Sequence, residues 1–397
     1  MSLIAFNNSH NMPFLFSDLL WSSAERPESI ELPTNAFDLT PHLDIQLPYH
    51  PSALAQKMYI VKGKVCIEFA GYGNEIKEFL KEFTLRCKYF DDDVHIDRMH
   101  EFLDEYPFAE KFAHSKLCLV HVTYKPGDPK VHFGVFTVPK IAHQVTPDLL
   151  DIKSGVWNIL QTDVYGTVYA CASGTQRYLN LINQRMEMRT IAAKGSLDYA
   201  VEINCGLIAQ LLTLERTSLY TVNHLWGGGF EAAYFNGEQF EKIGNLAYVI
   251  NHGEFDPTGD VGIPKPKLVL FYRYFGRLLH ITRIEIDKGE AHYSEDAIRF
   301  VSYAGKHRVK PIIVPPIDRQ DSEADPTIDL SFKTNTVAMG YSLVTSKNTQ
   351  LVPSLFKYGS HIFIDYQEGV KIEIIIHPGY INEIRLAAKA VFPNLMK

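Results

Sequence analysis

The sequence predicts an α+β fold: a four-layer αββα arrangement of two stacked sheets with helices on both outer faces, joined to a smaller C-terminal α+β domain. Three observations predict it. The periodic segments run hairpin, hairpin, two helices, strands, two helices, strands, an order satisfied when two sheets stack and helices cover their outer sides. The chain has 397 residues with 46% apolar and 21% charged side chains, enough to bury more than one core and too apolar for disorder. Composition shifts to Gly and Pro around 253–268 ("GEFDPTGDVGIPKPK"), which divides the chain into domains over 1–252 and 265–397.

The elements follow in order. "SLIAF" and "PFLFSDLLW" are β-prone runs separated by the polar turn "NNSHN", a hairpin beginning at the first residue. Residues 23–55 are rich in Pro, Ser and Asn and read as a long excursion. "KMYIVKGKVCIEFAG" is a second hairpin turning at Lys62-Gly63. Asn74 can cap a helix whose apolar positions Ile76, Phe79, Leu80 and Phe83 follow the i, i+3, i+4, i+7 pattern. A second helix is expected over 95–114, then strands "KLCLVHVTY", "VHFGVFTVP" and "TVYACASG". Helices "TQRYLNLINQRMEM" and 197–219 precede the Gly227-Gly228-Gly229 turn and strand "FEAAYF". Beyond the boundary come strands "KLVLFYRYF", "LLHITRIEI", "VKPIIVPPI", "HIFIDY" and "VKIEIIIH", a mobile polar loop at 318–328, and a terminal helix near 380–391.

Several function classes are excluded early. The formal net charge is −7 and no dense Lys/Arg block occurs, so no nucleic-acid partner is expected. No apolar run approaches the length of a membrane span, so no membrane partner is expected either. Cys66, Cys87, Cys118, Cys171 and Cys205 stand singly in apolar segments, the usage of a reducing cytoplasm. His95, Asp97 and His100 in "HIDRMH" do not share one helical face, the glycine triplet lacks the Lys-Ser/Thr of a phosphate loop, and Cys171 has no placed His. No metal or cofactor is expected.

The sharpest chemical feature is Ser2. Loss of Met1 would leave a free α-amine and a hydroxyl on one residue, with no leader ahead of the strand. The reference pKa of such an amine, about 7.7–8.0, suits a base at neutral pH. Nucleophile and base then arrive together. Asp18 lies sixteen positions on, at the end of the returning strand, where it can stand beside Ser2. Lys57 opens the second hairpin, and a lysine held by Asp18 would lower the pKa of the Ser2 amine and hydroxyl. Gly71 closes that hairpin ahead of a helix, a natural place for an oxyanion donor.

On these residues the chain resembles the proteasome β-type branch of the N-terminal nucleophile hydrolases. "SLIAFNNSHNMPFLFSDLL", "KMYIVKGKVCIEFAG" and "YACASGTQRYL" carry the resemblance, which covers roughly residues 2–250. It implies an N-terminal serine peptidase or amidase acting on peptide or amide bonds. Ser2 would be the nucleophile, Asp18 would hold Lys57, and Gly71 would bind the oxyanion. Ser173, followed by Gly174, would position the amine or its water. A homo-oligomeric ring is likewise implied. The chain departs from the pattern in three places. Leu19-Leu20 follow Asp18 where an Arg usually stands two after it, about twenty extra residues separate the hairpins, and Asn223, His224 and Trp226 replace a second Asp and Ser. The departures favour the alternative, a catalytically inactive subunit serving as an assembly or interaction module. If Lys57 acts only on the transition state, Lys57→Ala should abolish turnover with little loss of fold.

Overall fold

Alternating aromatic and aliphatic residues commit the first strands to extended backbone. β1 (Ile4–Ser9) and β2 (Met12–Asp18) pair antiparallel, with Ile4 opposite Ser17 and Ser9 opposite Met12. β3 (Leu20–Ser23) and β4 (His50–Leu54) pair next, so the excursion between the hairpins returns beside the exit of β2. β5 (Met58–Val61) and β6 (Val65–Ala70) turn through Lys62 and Gly63 at φ 48° and 68°, the left-handed pair that a tight hairpin demands. The chain continues through α1 (Gly73–Lys88), α2 (Ile96–Glu105), α3 (Phe108–Lys111), β7 (Lys116–Tyr124) and β8 (Val131–Val138). The helix expected over 95–114 is therefore two, broken at Pro107, whose ring removes a backbone donor. β9 (Ala142–Val145), β10 (Trp157–Thr162), β11 (Gly166–Cys171), α4 (Thr175–Met186), α5 (Leu197–Thr217), α6 (Tyr220–Asn223), β12 (Phe230–Phe235) and β13 (Phe240–Lys242) complete the first part.

This computed structural model describes residues 2–9, 11–25, 27–35, 49–88, 96–124, 130–140, 142–146, 151–186, 197–218, 220–254, 265–319, 327–344, 349–358 and 362–379. Helix accounts for 21% and strand for 50%, a mixed α+β fold. A seven-stranded sheet runs β13-β12-β2-β1-β11-β10-β9, and a four-stranded sheet runs β5-β6-β7-β8. Ile4, Phe6 and Leu15 of the first meet Met58, Cys66, Cys118 and Val120 of the second in one core cluster. The other side of the four-stranded sheet receives α1 and α2 through Ile76, Phe79, Phe83 and Phe102. The other side of the seven-stranded sheet receives α4 and α5 through Tyr178, Ile182, Ile203 and Leu207.

The second part consists, among the described residues, of strands. They are β14 (Leu246–Glu254), β15 (Lys265–Phe275), β16 (Leu278–Ile286), β17 (Glu290–Tyr293), β18 (Ile298–Tyr303), β19 (His307–Val314), β20 (Phe332–Thr334), β21 (Thr336–Val344), β22 (Thr349–Tyr358), β23 (Ile362–Gln367) and β24 (Lys371–Ile376). A six-stranded sheet, β19-β16-β15-β14-β21-β22, packs on a five-stranded one, β17-β18-β24-β23-β20, through residues such as Val269, Phe271, Ile364 and Ile374. Tyr248, Leu268, Leu270 and Leu279 of the six-stranded sheet share a core with Leu207 and Leu211 of α5, which is thus covered by sheets from both parts. The Gly/Pro stretch at 253–268 falls between β14 and β15, which pair with each other. Keeping the sheets whole moves the division back to the link between β13 and β14. The terminal helix expected at 380–391 and most of the polar loop at 318–328 lie outside the described residues. No described helix is long and apolar enough to cross a membrane.

Candidate active site

Register brings the first two residues of the site together. The Asp18 N–H donates to the Leu3 carbonyl at 3.0 Å, and the Leu3 N–H donates to Asp18 Oδ1 at 3.0 Å, which fixes the carboxylate beside Ser2. The other carboxylate oxygen, Oδ2, accepts from the Gly227 N–H at 2.9 Å. Lys57, between β4 and β5, reaches in from the facing sheet. Its Nζ donates to Ser2 Oγ at 2.7 Å, Asp18 Oδ1 at 2.8 Å and the Leu20 carbonyl at 2.5 Å. Three acceptors match the three donors of an ammonium group, which favours the charged form. Ser2, Asp18 and Lys57 are each at most 1% exposed. Burial pushes the Lys57 ammonium down and the Asp18 carboxyl up, and each charge opposes the shift of the other. The expectation that Lys57 could be removed with little loss of fold does not suit this geometry, because its removal leaves a buried carboxylate without its counter-ion.

Ser173 also joins the group. The Ser2 N–H donates to Ser173 Oγ at 3.2 Å, while the Ser173 hydroxyl and the Gly174 N–H both approach the Ser2 carbonyl, at 3.2 and 3.1 Å. Gly71 stands at φ 123° where a Cβ would lie 2.5 Å from Ser115 Cα, so only glycine fits. It lines a cleft of about 1180 Å³ together with Trp21, Tyr72 and Gly73. Ser2, Asp18 and Lys57 are not part of that lining; Trp21 is, and its ring centroid stands 6.0 Å from Lys57 Nζ. The Cys171 thiol, pushed up to about 11 by burial, stays protonated at neutral pH.

Three residues that hold the site do not stand out in the sequence. Glu231, on β12, accepts from the Lys57 and Met58 N–H groups and from Lys242 Nζ, the latter two at 2.8 Å each. It anchors the backbone that carries Lys57. The available signal was a carboxylate inside the apolar strand "FEAAYF". Gln56 donates through Nε2 to the carbonyls of Arg277 at 2.7 Å and Val314 at 2.8 Å, while its own Oε1 accepts from Lys242 Nζ at 2.7 Å. The residue before Lys57 is therefore tied to the second part of the chain. Glu215, in α5, accepts from Thr34 Oγ1 and from the Gly228 N–H, supporting the glycine turn that holds Asp18. Gly227 and Glu215 thus supply the support on this side of Asp18.

Burial pushes the Glu215 carboxyl up to about 7. Its folded pKa then exceeds its unfolded one, so between pH ~4.5 and ~7 the folded state binds more protons and stability falls as pH rises. The loss amounts to on the order of 3 kcal/mol across that window. Glu215→Gln should flatten this part of the dependence. Melting temperatures of both proteins at closely spaced pH values check it, and identical slopes would sink the assignment.

Among the described residues, no group of three or more His, Cys, Asp or Glu side chains is arranged to hold a metal ion. Comparison with models of protein families and with curated proteins returns no match for this chain.

Proposed function

We propose that the chain is a proteasome-like N-terminal serine nucleophile hydrolase that cleaves amide bonds, with its first part in the four-layer αββα arrangement of that class. The observation that carries the reading is the meeting of Lys57 Nζ with both Ser2 Oγ and Asp18, from positions 55 and 39 residues away. Cleavage of the Met1–Ser2 bond frees the α-amine. That amine takes the Oγ proton, through a water, as Oγ attacks the substrate carbonyl. The Lys57 ammonium, held by Asp18, favours the developing alkoxide, and the Gly71 N–H at the cleft wall serves the oxyanion. Collapse of the tetrahedral species returns the proton to the leaving amine and leaves an ester on Ser2, which water hydrolyses by the same route. Ser173 positions the Ser2 amine or its water. Ring assembly of several copies belongs to the same reading.

Besides the departures in sequence, the inactive-module reading has one structural observation in its favour: Ser2 is 1% exposed and does not line the cleft. Intact mass and turnover on a peptide-amide panel separate the two. The hydrolase reading expects a chain starting at a free Ser2, with turnover lost in Ser2→Ala. Retained Met1 or an acetylated Ser2 would sink the mechanism, and a free Ser2 without turnover would leave the interaction module.

A further inference from the structure

The cleft that reaches Gly71 presents aromatic rings that the fold holds in place without fully burying them. Tyr72, next in sequence to Gly71, lines the cleft and is 47% exposed. A ring left that open gains little from the hydrophobic effect. It is nevertheless fixed. The Tyr72 hydroxyl bonds to that of Tyr49 at 2.5 Å, its ring centroid stands 5.1 Å from that of His114, and its N–H donates to Ser115 Oγ at 3.0 Å. Trp21 is seated in the same wall. A Cβ on Gly73 would stand 2.5 Å from Trp21 Cζ2, so the glycine makes room for the indole.

The second part of the chain reaches the same cleft. Pro315, Pro316 and Ile317, which follow β19, line it together with Leu54 of the first part. The Gln56 N–H donates to the Pro315 carbonyl at 2.9 Å, and Gln56 forms a parallel bridge with Pro316, so this wall is fixed beside Lys57. Proline rings lock φ and offer an apolar surface that loses little freedom when something packs on it. The cavity, about 1180 Å³, has room for a short stretch of peptide. Trp21 joins it to the candidate site, across the 6.0 Å between its ring centroid and Lys57 Nζ.

We infer that this cleft receives an aromatic side chain of a bound peptide, in contact with Tyr72 and Trp21 of the first part and with Pro316 and Ile317 of the second. Two rings gain from matching a negative face to a positive edge, beyond the area they bury, and an aliphatic side chain of similar bulk lacks that gain. Because Tyr72 is held before anything binds, little ordering opposes the contact. That the peptide is a substrate rests on the hydrolase reading; that its side chain is aromatic rests on the cleft. Both parts of the chain then share in selecting it.

The test uses the full chain carrying Ser2→Ala, so that binding is read without turnover. Of the three tryptophans, Trp157 and Trp226 are 0% exposed, so quenching of the fluorescence by acrylamide reports on Trp21. Unlabelled acetyl-Gly-Gly-Xaa-Gly-Gly-amide peptides with Phe, cyclohexylalanine or Ala at Xaa are titrated against this quenching. The Phe peptide should shield Trp21 and bind about tenfold or more tighter than the Ala peptide. It should also bind about threefold or more tighter than the cyclohexylalanine peptide, which has the bulk without the π-system. Tyr72→Leu, at an exposed position, should bring the Phe and cyclohexylalanine affinities within about twofold, whereas Tyr72→Phe keeps the ring and should keep the preference. Ile317→Ala should weaken both peptides by a similar factor, about threefold or more. Equal affinity for the Phe and cyclohexylalanine peptides, a preference unchanged in Tyr72→Leu, or no shielding of Trp21 overturns the inference. Unchanged affinities in Ile317→Ala overturn the share of the second part. Failure of Ser2 as nucleophile would appear as absent turnover in the unmodified chain and would leave these affinities as they are.

Discussion

Lys57→Ala is expected to lower kcat/KM by about a thousandfold or more and, at the same time, to cost about 3–5 kcal/mol of stability. The two losses have separate causes. Activity falls because no cation remains 2.7 Å from Ser2 Oγ to favour the alkoxide. Stability falls because Asp18, 0% exposed, keeps its charge without a counter-ion. Asp18 can relieve part of that cost by taking a proton, the direction in which burial already pushes it. Combining Lys57→Met with Asp18→Asn removes both charges and should restore part of the stability without restoring turnover. Denaturant titrations with initial rates for the single and double variants check this. Full activity in Lys57→Ala, or strictly additive destabilisation in the pair, would overturn the account.

Glu231→Ala should be of similar size for stability, about 3–5 kcal/mol, because two buried backbone N–H groups lose their acceptor and the Lys242 ammonium, left with Gln56 Oε1, loses its counter-ion. Its effect on catalysis is expected to fall on kcat more than on KM, since Glu231 holds the Lys57 backbone and does not line the cleft. Glu231→Gln keeps an acceptor for the two N–H groups and should lose only about 1–2 kcal/mol. Thermal melts and a kcat-against-KM comparison decide it. An equal loss in the Ala and Gln variants would mean that the negative charge facing Lys242, not the acceptor oxygen, was important.

How much of this was legible depended on sequence distance. The β1–β2 hairpin, the β5–β6 hairpin and α1 are local patterns, and strict alternation or i, i+3, i+4 spacing marks them without tertiary knowledge. Asp18 was legible through its sixteen-residue offset from Ser2, and Lys57 through its place at the opening of the second hairpin. Glu231 was not, because its contact with the Lys57 N–H spans 174 positions and nothing near it in the sequence announces the partner. Glu215 meets Thr34 across 181 positions, and Gln56 meets Val314 across 258. In the second part, β22 contains Pro353, which counts against a strand in the sequence, and β17 is exposed throughout, without the half-buried alternation by which strands are recognised. The Gly/Pro stretch is a related case. Gly and Pro around 253–268 mark a link between neighbouring strands of one sheet as readily as a link between domains.

The Gln56 amide has a consequence for how such a chain could diversify. One side chain next to Lys57 holds two carbonyls from the second part and one ammonium from the first. A recombination that exchanged the second part would have to deliver carbonyls to the positions of Arg277 and Val314, or leave that amide buried without acceptors. The two parts are therefore constrained to be inherited as a unit. Variation that preserves this junction is confined to residues that do not touch it.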